Sequence, residues 1–229
     1  MCYNHDMSGT KALKAQGAYS RPEGPTNFVT YVLAAVLSFV GLVFLLIKAS
    51  GIGAVAVTAA AVCGVLFVST FTVGALVHIL PSGRVRDVLR GIDRHAVAFL
   101  VVGAFAPVLM CGLSRGDAYD AAWGFSLFGV AAACCIAACT VTVLRVKHYK
   151  IVCLVLYVAI GLAIALRAMS FVRLVGIDAF WWLFGGGAAY LVGAAIVFYG
   201  KFSFGHTLMH LSVAVGAALH FVCVYLYVL

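Results

Sequence analysis

Four ionisable residues flank apolar stretches of the chain, where they could hold a metal ion. His206 and His210 open the last apolar stretch, His78 nearly ends the second, and Asp93 precedes the third. In a helix, residues four apart lie on one face about one turn apart, so His206 and His210 can share an ion. Three imidazoles with a carboxylate or a water are typical of zinc, whose open sites lower the pKa of water to about 7.

Two further histidines are expected to have other roles. His220 lies ten residues after His210, which is about 15 Å along a helix. No single ion can bind both, so we expect His220 to be buried and bonded to a neighbouring helix. His95 lies near Asp93 but follows Arg94 in a basic stretch. We interpret it as an interfacial histidine and hold it as a reserve ligand.

The composition indicates the kind of fold that must position these residues. The 229 residues are 65% hydrophobic and 10% charged, whereas soluble domains average about 45–50% apolar and about 25% charged. Several apolar runs are long enough to cross a bilayer core of about 30 Å. The sequence therefore predicts an all-α, polytopic membrane protein, with membrane lipids as its surroundings.

Seven transmembrane helices are predicted, forming a domain over 28–229 that follows a polar N-terminal tail over 1–27. A proline, Pro107, lies inside the third span and predicts a kink. The glycines of the sixth span, Gly185–Gly187 and Gly193, indicate close helix packing. The predicted spans are Phe28–Ile47, Val55–Leu80, Ala96–Leu113, Ala121–Leu144, Ile151–Leu166, Ala179–Phe198 and His206–Leu229.

The net charge of +8 does not indicate nucleic-acid binding, because the cations lie in the tail and the connections between spans. With the N-terminus in the cytoplasm, eleven of the 15 lysines and arginines fall inside and four fall outside. The positive-inside rule thus favours a cytoplasmic N-terminus and an external C-terminus. The four external cations are Lys48, Arg115, Arg167 and Arg173.

This topology brings the four ionisable residues to one depth near the cytoplasmic face of the membrane. Ionisable groups at such positions favour a function, and a zinc site is our first interpretation. Simpler interpretations remain open. Asp93 could pair with neighbouring arginines, His78 could bond to water, and His206 and His210 could bond across helices.

The same positions resemble the hemolysin III family, within the superfamily of adiponectin and progestin membrane receptors. The resemblance runs from Glu23 to the C-terminus. Two positions depart from the family pattern, because Tyr31 replaces a histidine and Gly74 replaces a serine four residues before His78. The positions that match the family motifs are Glu23, Asn27, Thr30, His78, Asp93, Gly103, Pro107, His206 and His210.

The resemblance implies seven spans with a cytoplasmic N-terminus and a zinc ion held by His78, His206 and His210. It also implies that Asp93 lies near the zinc-bound water as the catalytic residue. Members of the superfamily are similar to ceramidase-like lipid amide hydrolases. Bacterial members are linked to membrane lipid homeostasis, and the family name records a haemolytic activity. We therefore expect a multi-pass protein of the cytoplasmic membrane.

Three functions follow as hypotheses. The first is a zinc-dependent hydrolase of a lipid amide or ester at the inner leaflet. The second is a non-enzymatic sensor or regulator of membrane lipid, in which zinc links spans two, three and seven; the departures at Gly74 and Tyr31 favour it. The third, a pore-forming haemolysin, has the least support, because the spans carry no ring of charges such as lines a water-filled channel.

Overall fold

The chain is mainly helical in the part that its computed structural model describes, which is residues 23–144, 146–199 and 204–229. No strand occurs within these ranges, so the prediction of an all-α membrane protein is confirmed. The helices are α1 (Glu23–Ser50), α2 (Ala54–Ile79), α3 (Arg84–Asp93), α4 (Ala96–Pro107), α5 (Ala118–Val143), α6 (Tyr149–Ala165), α7 (Ala168–Val175), α8 (Ile177–Tyr199) and α9 (Gly205–Cys223).

Six helical segments of the described ranges are long and apolar enough to cross a membrane. They are Gly24–Ser50, Ala54–Ile79, Ala96–Arg115, Ala118–Val143, Ile177–Ile196 and Gly205–Val228. The predicted fifth span coincides with α6, whose apolar part, Ile151–Leu162, is shorter. Twelve helical residues measure only about 18 Å, less than a bilayer core of about 30 Å. Seven spans and the orientation of the termini therefore stay predictions.

Three details of the chain differ from what the sequence predicts. The first helix begins at Glu23, so the last five residues of the predicted tail are helical, while residues 1–22 lie outside the described ranges. The basic connection before the third span forms α3, which buries none of its residues. The connection after the fifth span contains α7.

The third span is irregular from Pro107 onward, where the sequence predicts a kink. Proline has no N–H to donate and crowds the preceding turn. The helix changes here to a π-helical turn at Val108–Gly112 and then to a 3₁₀ turn at Leu113–Arg115. The proline therefore marks a change in the hydrogen-bond pattern of a segment that continues across the bundle.

The order of packing brings the two ends of the chain together. α1 packs along α2, α8 packs along α9, and α9 also contacts α1. The last helix thereby lies beside the first pair, so its first turn is next to the end of α2. The end of the bundle where α2 ends and α9 begins is called the histidine end below.

The glycines of α8 allow α9 to approach closely, as the sequence predicts. A Cβ on Gly186 would overlap the ring of His220 and would lie 3.0 Å from the carbonyl oxygen of Gly216. His220 is buried, and its Nε2 lies 3.1 Å from the carbonyl oxygen of Leu183 on α8. The prediction of a buried His220 bonded to a neighbouring helix is confirmed.

Candidate metal centre

Three histidines from two helices meet at the histidine end. His78 lies in the last turn of α2, and His206 and His210 lie in the first turns of α9. One ligand nitrogen from each lies within 4.8 Å of the other two. The ring centroids are 4.2 Å apart for His206 and His210, and 5.6 Å apart for His78 and His210. The contact between α9 and the first helix pair creates this cluster.

The cluster fits a zinc ion by its donors and by one unsatisfied atom. Nε2 of His210 is buried and has no hydrogen-bond partner among the residues that the structure describes, which is costly unless something else satisfies it. Neutral imidazole is a favoured zinc ligand. Two Zn–N bonds of about 2.1 Å span at most about 4.2 Å, which is close to the 4.8 Å limit within which the three nitrogens lie.

Tyr31 of α1 packs against two of the three histidines of the cluster. Its side chain is buried, and its ring centroid lies 4.4 Å from that of His210 and 5.6 Å from that of His78. The Tyr31 hydroxyl donates a hydrogen bond to Oδ1 of Asp93, at 3.4 Å. A single side chain therefore touches both histidine-bearing helices and the carboxylate.

Asp93 is the last residue of α3 and is partly buried. It is not one of the residues whose ligand atoms cluster within 4.8 Å. Burial raises the pKa of the Asp93 carboxyl to about 6, while the hydrogen bond from Tyr31 and the charge of Arg90 act in the opposite direction. The structure thus connects Asp93 to the histidines through Tyr31 and leaves it outside the ligand group itself.

His95, the reserve ligand, packs inside the protein. It is buried, and its Nδ1 is hydrogen-bonded to the hydroxyl of Tyr157 on α6. It lies outside the group formed by the other three histidines. The contact with Tyr157 of α6 covers it at the start of α4, and its interfacial depth stays a prediction.

Asn27 is a residue of this region to which the sequence assigns no role of its own. It is fully buried near the start of α1, and its Oδ1 accepts a hydrogen bond from Thr207 Oγ1 at 2.6 Å. Thr207 directly follows His206, so this bond holds the first turn of α9 against α1. Its match to a family motif, and its position four residues before Tyr31 on the same helix face, were the signals available in the sequence.

Comparisons with known proteins agree with this architecture. The family model described as "Haemolysin-III related" matches residues 19–221. "Hemolysin-3" of Bacillus cereus is 29% identical over 204 residues, which cover 89% of this chain and 90% of that protein. "Hemolysin-3 homolog" of Bacillus subtilis (strain 168) is 26% identical over 202 residues, which cover 88% and 92% of the two chains.

These matches and the apolar helices identify a multi-pass protein of the cell membrane. The family match covers all four ionisable residues, which are His78, Asp93, His206 and His210. The two curated relatives extend over nearly the whole chain. We conclude that the chain belongs to the haemolysin-III-related family.

Proposed function

We propose that this membrane protein holds a zinc ion at His78, His206 and His210 and uses it to hydrolyse an amide or ester bond of a membrane lipid. The observation that carries the proposal is the cluster itself, with ligand atoms within 4.8 Å of one another. Three histidines from two helices leave a coordination position open, as catalytic zinc sites do.

The chemistry needs an acid or base beside the histidines, and Asp93 is suited to that role. When bound, a zinc ion polarises a carbonyl and lowers the pKa of water toward about 7. The Asp93 carboxylate can accept a proton near neutral pH, because a pKa of about 6 lies close to the working pH of a general base. Its position outside the ligand group supports proton transfer over ligation.

The location of the cluster favours a lipid as the substrate. His78 is the second-last residue of α2, and His206 is the second residue of α9. Both therefore lie where membrane-spanning helices end, at the depth of the ester and amide groups that join lipid headgroups to their chains. On the predicted orientation this is the inner leaflet.

A lipid hydrolysis assay tests the enzymatic part of the proposal. Purified wild type and Asp93→Asn would be incubated with ceramide-like and phospholipid substrates, and the released fatty acid measured. We expect turnover by the wild type and a loss of about 10²- to 10⁴-fold in Asp93→Asn, the range of general acid–base catalysis. Zinc-bound wild type without Asp93-dependent turnover of any of these lipids would contradict hydrolysis.

A non-enzymatic zinc-linked sensor or regulator of membrane lipid is the second proposal. Gly74 offers no hydroxyl on the helix face one turn before His78, and Tyr31 takes up that space. A zinc ion at the cluster would then fasten the end of α2 to the start of α9. The outcome that contradicts hydrolysis, bound zinc without turnover, is the outcome expected for such a sensor.

A further inference from the structure

We propose that Tyr31 is a positioning residue whose hydroxyl holds Asp93 near the histidine cluster. The ring of Tyr31 occupies the space that Gly74, which has no side chain, leaves open. The inference rests on the proposed zinc site. It gives Tyr31 a role in zinc binding that acts through Asp93. Three observations carry the inference: the packing of the ring against the histidines, the space that Gly74 provides for the ring, and the hydrogen bond from the hydroxyl to Asp93.

The ring of Tyr31 packs against the histidines of both helices. Its centroid lies 4.4 Å from the ring of His210 and 5.6 Å from the ring of His78. Aromatic pairs at about 4.5–7 Å restrict each other's orientation. The ring also packs against the ring of Phe71 on α2, and the two centroids are 6.2 Å apart. Because the ring is enclosed in this way, its hydroxyl has a defined position.

Gly74 provides the space that the ring occupies. A Cβ at position 74 would overlap three atoms of the Tyr31 ring, Cδ1, Cε1 and Cζ. No L-residue with a side chain fits there unless Tyr31 moves. Gly74 lies one helical turn before His78, so the ring lies on the face of α2 that carries the histidine. The positions of residues 31 and 74 therefore depend on each other.

The hydroxyl of Tyr31 connects the cluster to Asp93. It donates to Oδ1 of Asp93 at 3.4 Å, which is longer than the usual O–H···O distance of about 2.7–2.8 Å. Because the hydroxyl faces Asp93, Tyr31 acts on the zinc site through the carboxylate.

A double-mutant cycle on zinc affinity tests the inference. The purified full-length chain would be prepared as wild type, Tyr31→Phe, Asp93→Asn and the double variant, and zinc affinity measured by competition with a chromophoric chelator. Tyr31→Phe keeps the ring and so preserves folding. The control is Tyr190→Phe, which also removes a hydroxyl from a buried tyrosine. The Tyr190 ring likewise packs against a histidine of α9, since its centroid lies 5.2 Å from that of the His220 ring.

We expect Asp93→Asn to weaken zinc binding by about 10- to 100-fold, the usual effect of losing an outer-shell partner. Tyr31→Phe should weaken it by at least about 3-fold, and the double variant should bind no more weakly than Asp93→Asn alone. Tyr190→Phe should bind as the wild type does. The visible spectrum of the cobalt-loaded protein should change in Tyr31→Phe and in Asp93→Asn, and stay unchanged in the control.

Two results would overturn the inference in distinguishable ways. If Tyr31→Phe binds zinc as the wild type does, or if the two single effects multiply in the double variant, Tyr31 does not act through Asp93. The zinc site itself then stands. If the wild type binds no zinc, the proposed function and the role of Tyr31 fail together.

Discussion

At the scale of single residues, the histidine cluster depends on the residues that pack around it as well as on the histidines themselves. Tyr31 and Gly74 are the two departures from the family pattern, and considered separately each looks like a loss of a polar group. In the fold they touch each other, and the ring at position 31 occupies the place where any side chain at position 74 would project. The two departures thus form one complementary pair.

This contact predicts the effect of enlarging residue 74. Gly74→Ala should lower the free energy of unfolding by about 1–3 kcal/mol, the usual cost of overpacking a buried site, and should weaken zinc binding because Tyr31 moves. Thermal unfolding and chelator competition measure the two effects. The control is Gly129→Ala in α5, where a Cβ would meet nothing within 4 Å. Equal behaviour of the two variants would contradict the contact.

The sequence predicts that His78, His206 and His210 lie at one depth, because topology determines the depth of each residue in the membrane. Their meeting depends on the packing of α9 beside the first helix pair. Their role as zinc ligands stays a prediction. The sequence does not predict that Tyr31 bonds to Asp93, since that depends on the rotation of α1 about its axis. An apolar helix with no polar stripe leaves this rotation undetermined, because every face can contact lipid.

At the scale of elements, the other end of the bundle is held by charges. Asp120, at the start of α5, is buried and forms two ion pairs. One is with Arg167, which precedes α7. The other is with Arg173 of α7, whose Nη2 lies 3.0 Å from Oδ2 of Asp120. Arg167 also stacks over Tyr119 and Trp123. The sequence identifies Arg167 only as an external cation, whereas the structure pairs it with a carboxylate.

Removal of the Asp120 carboxylate should lower the free energy of unfolding of the protein. Asp120→Asn leaves two arginines without their counter-charge, and breaking a buried pair typically costs about 3–5 kcal/mol. We expect the lower part of that range, because the Arg173 side chain is 68% exposed and solvent screens it. Thermal unfolding of the purified variant measures the loss.

Asp87→Asn provides the matched control for this change. Asp87 pairs with Arg90 at 3.6 Å, but its side chain is 70% exposed, and such surface pairs contribute about 0–1 kcal/mol. A similar melting temperature for Asp120→Asn and Asp87→Asn would show that the buried pairs do not hold α5 and α7 together.

Helices α3 and α7 show which elements the sequence does not predict. The hydropathy of the chain defines the membrane-spanning segments well, because length and apolar content determine them. α3 carries several charges and buries none of its residues, so hydropathy identifies it only as a polar connection. α7 is mostly apolar, but its eight residues are too few to cross a membrane, so hydropathy does not distinguish it from a loop. Asp93 owes its place to one of them, since it ends α3.

At the scale of the whole molecule, the packing of α9 against both α1 and α8 connects the first and last helices at one point. The buried Asn27–Thr207 bond and the histidine cluster both lie at this contact. Zinc at the cluster would fasten α9 to α2 and so stabilise the bundle as well as supply chemistry. Metal content and thermal stability should therefore change together.

The zinc content of the purified protein, measured by elemental analysis, tests the central claim most directly. His210→Ala removes a proposed ligand, and His148→Asn, which changes an exposed histidine with a positive φ of 61°, is the control. We predict close to one zinc ion per chain in the wild type and in His148→Asn. His210→Ala should lose the zinc and unfold at a lower temperature. Wild type without zinc, or equal zinc in all three proteins, would contradict the account.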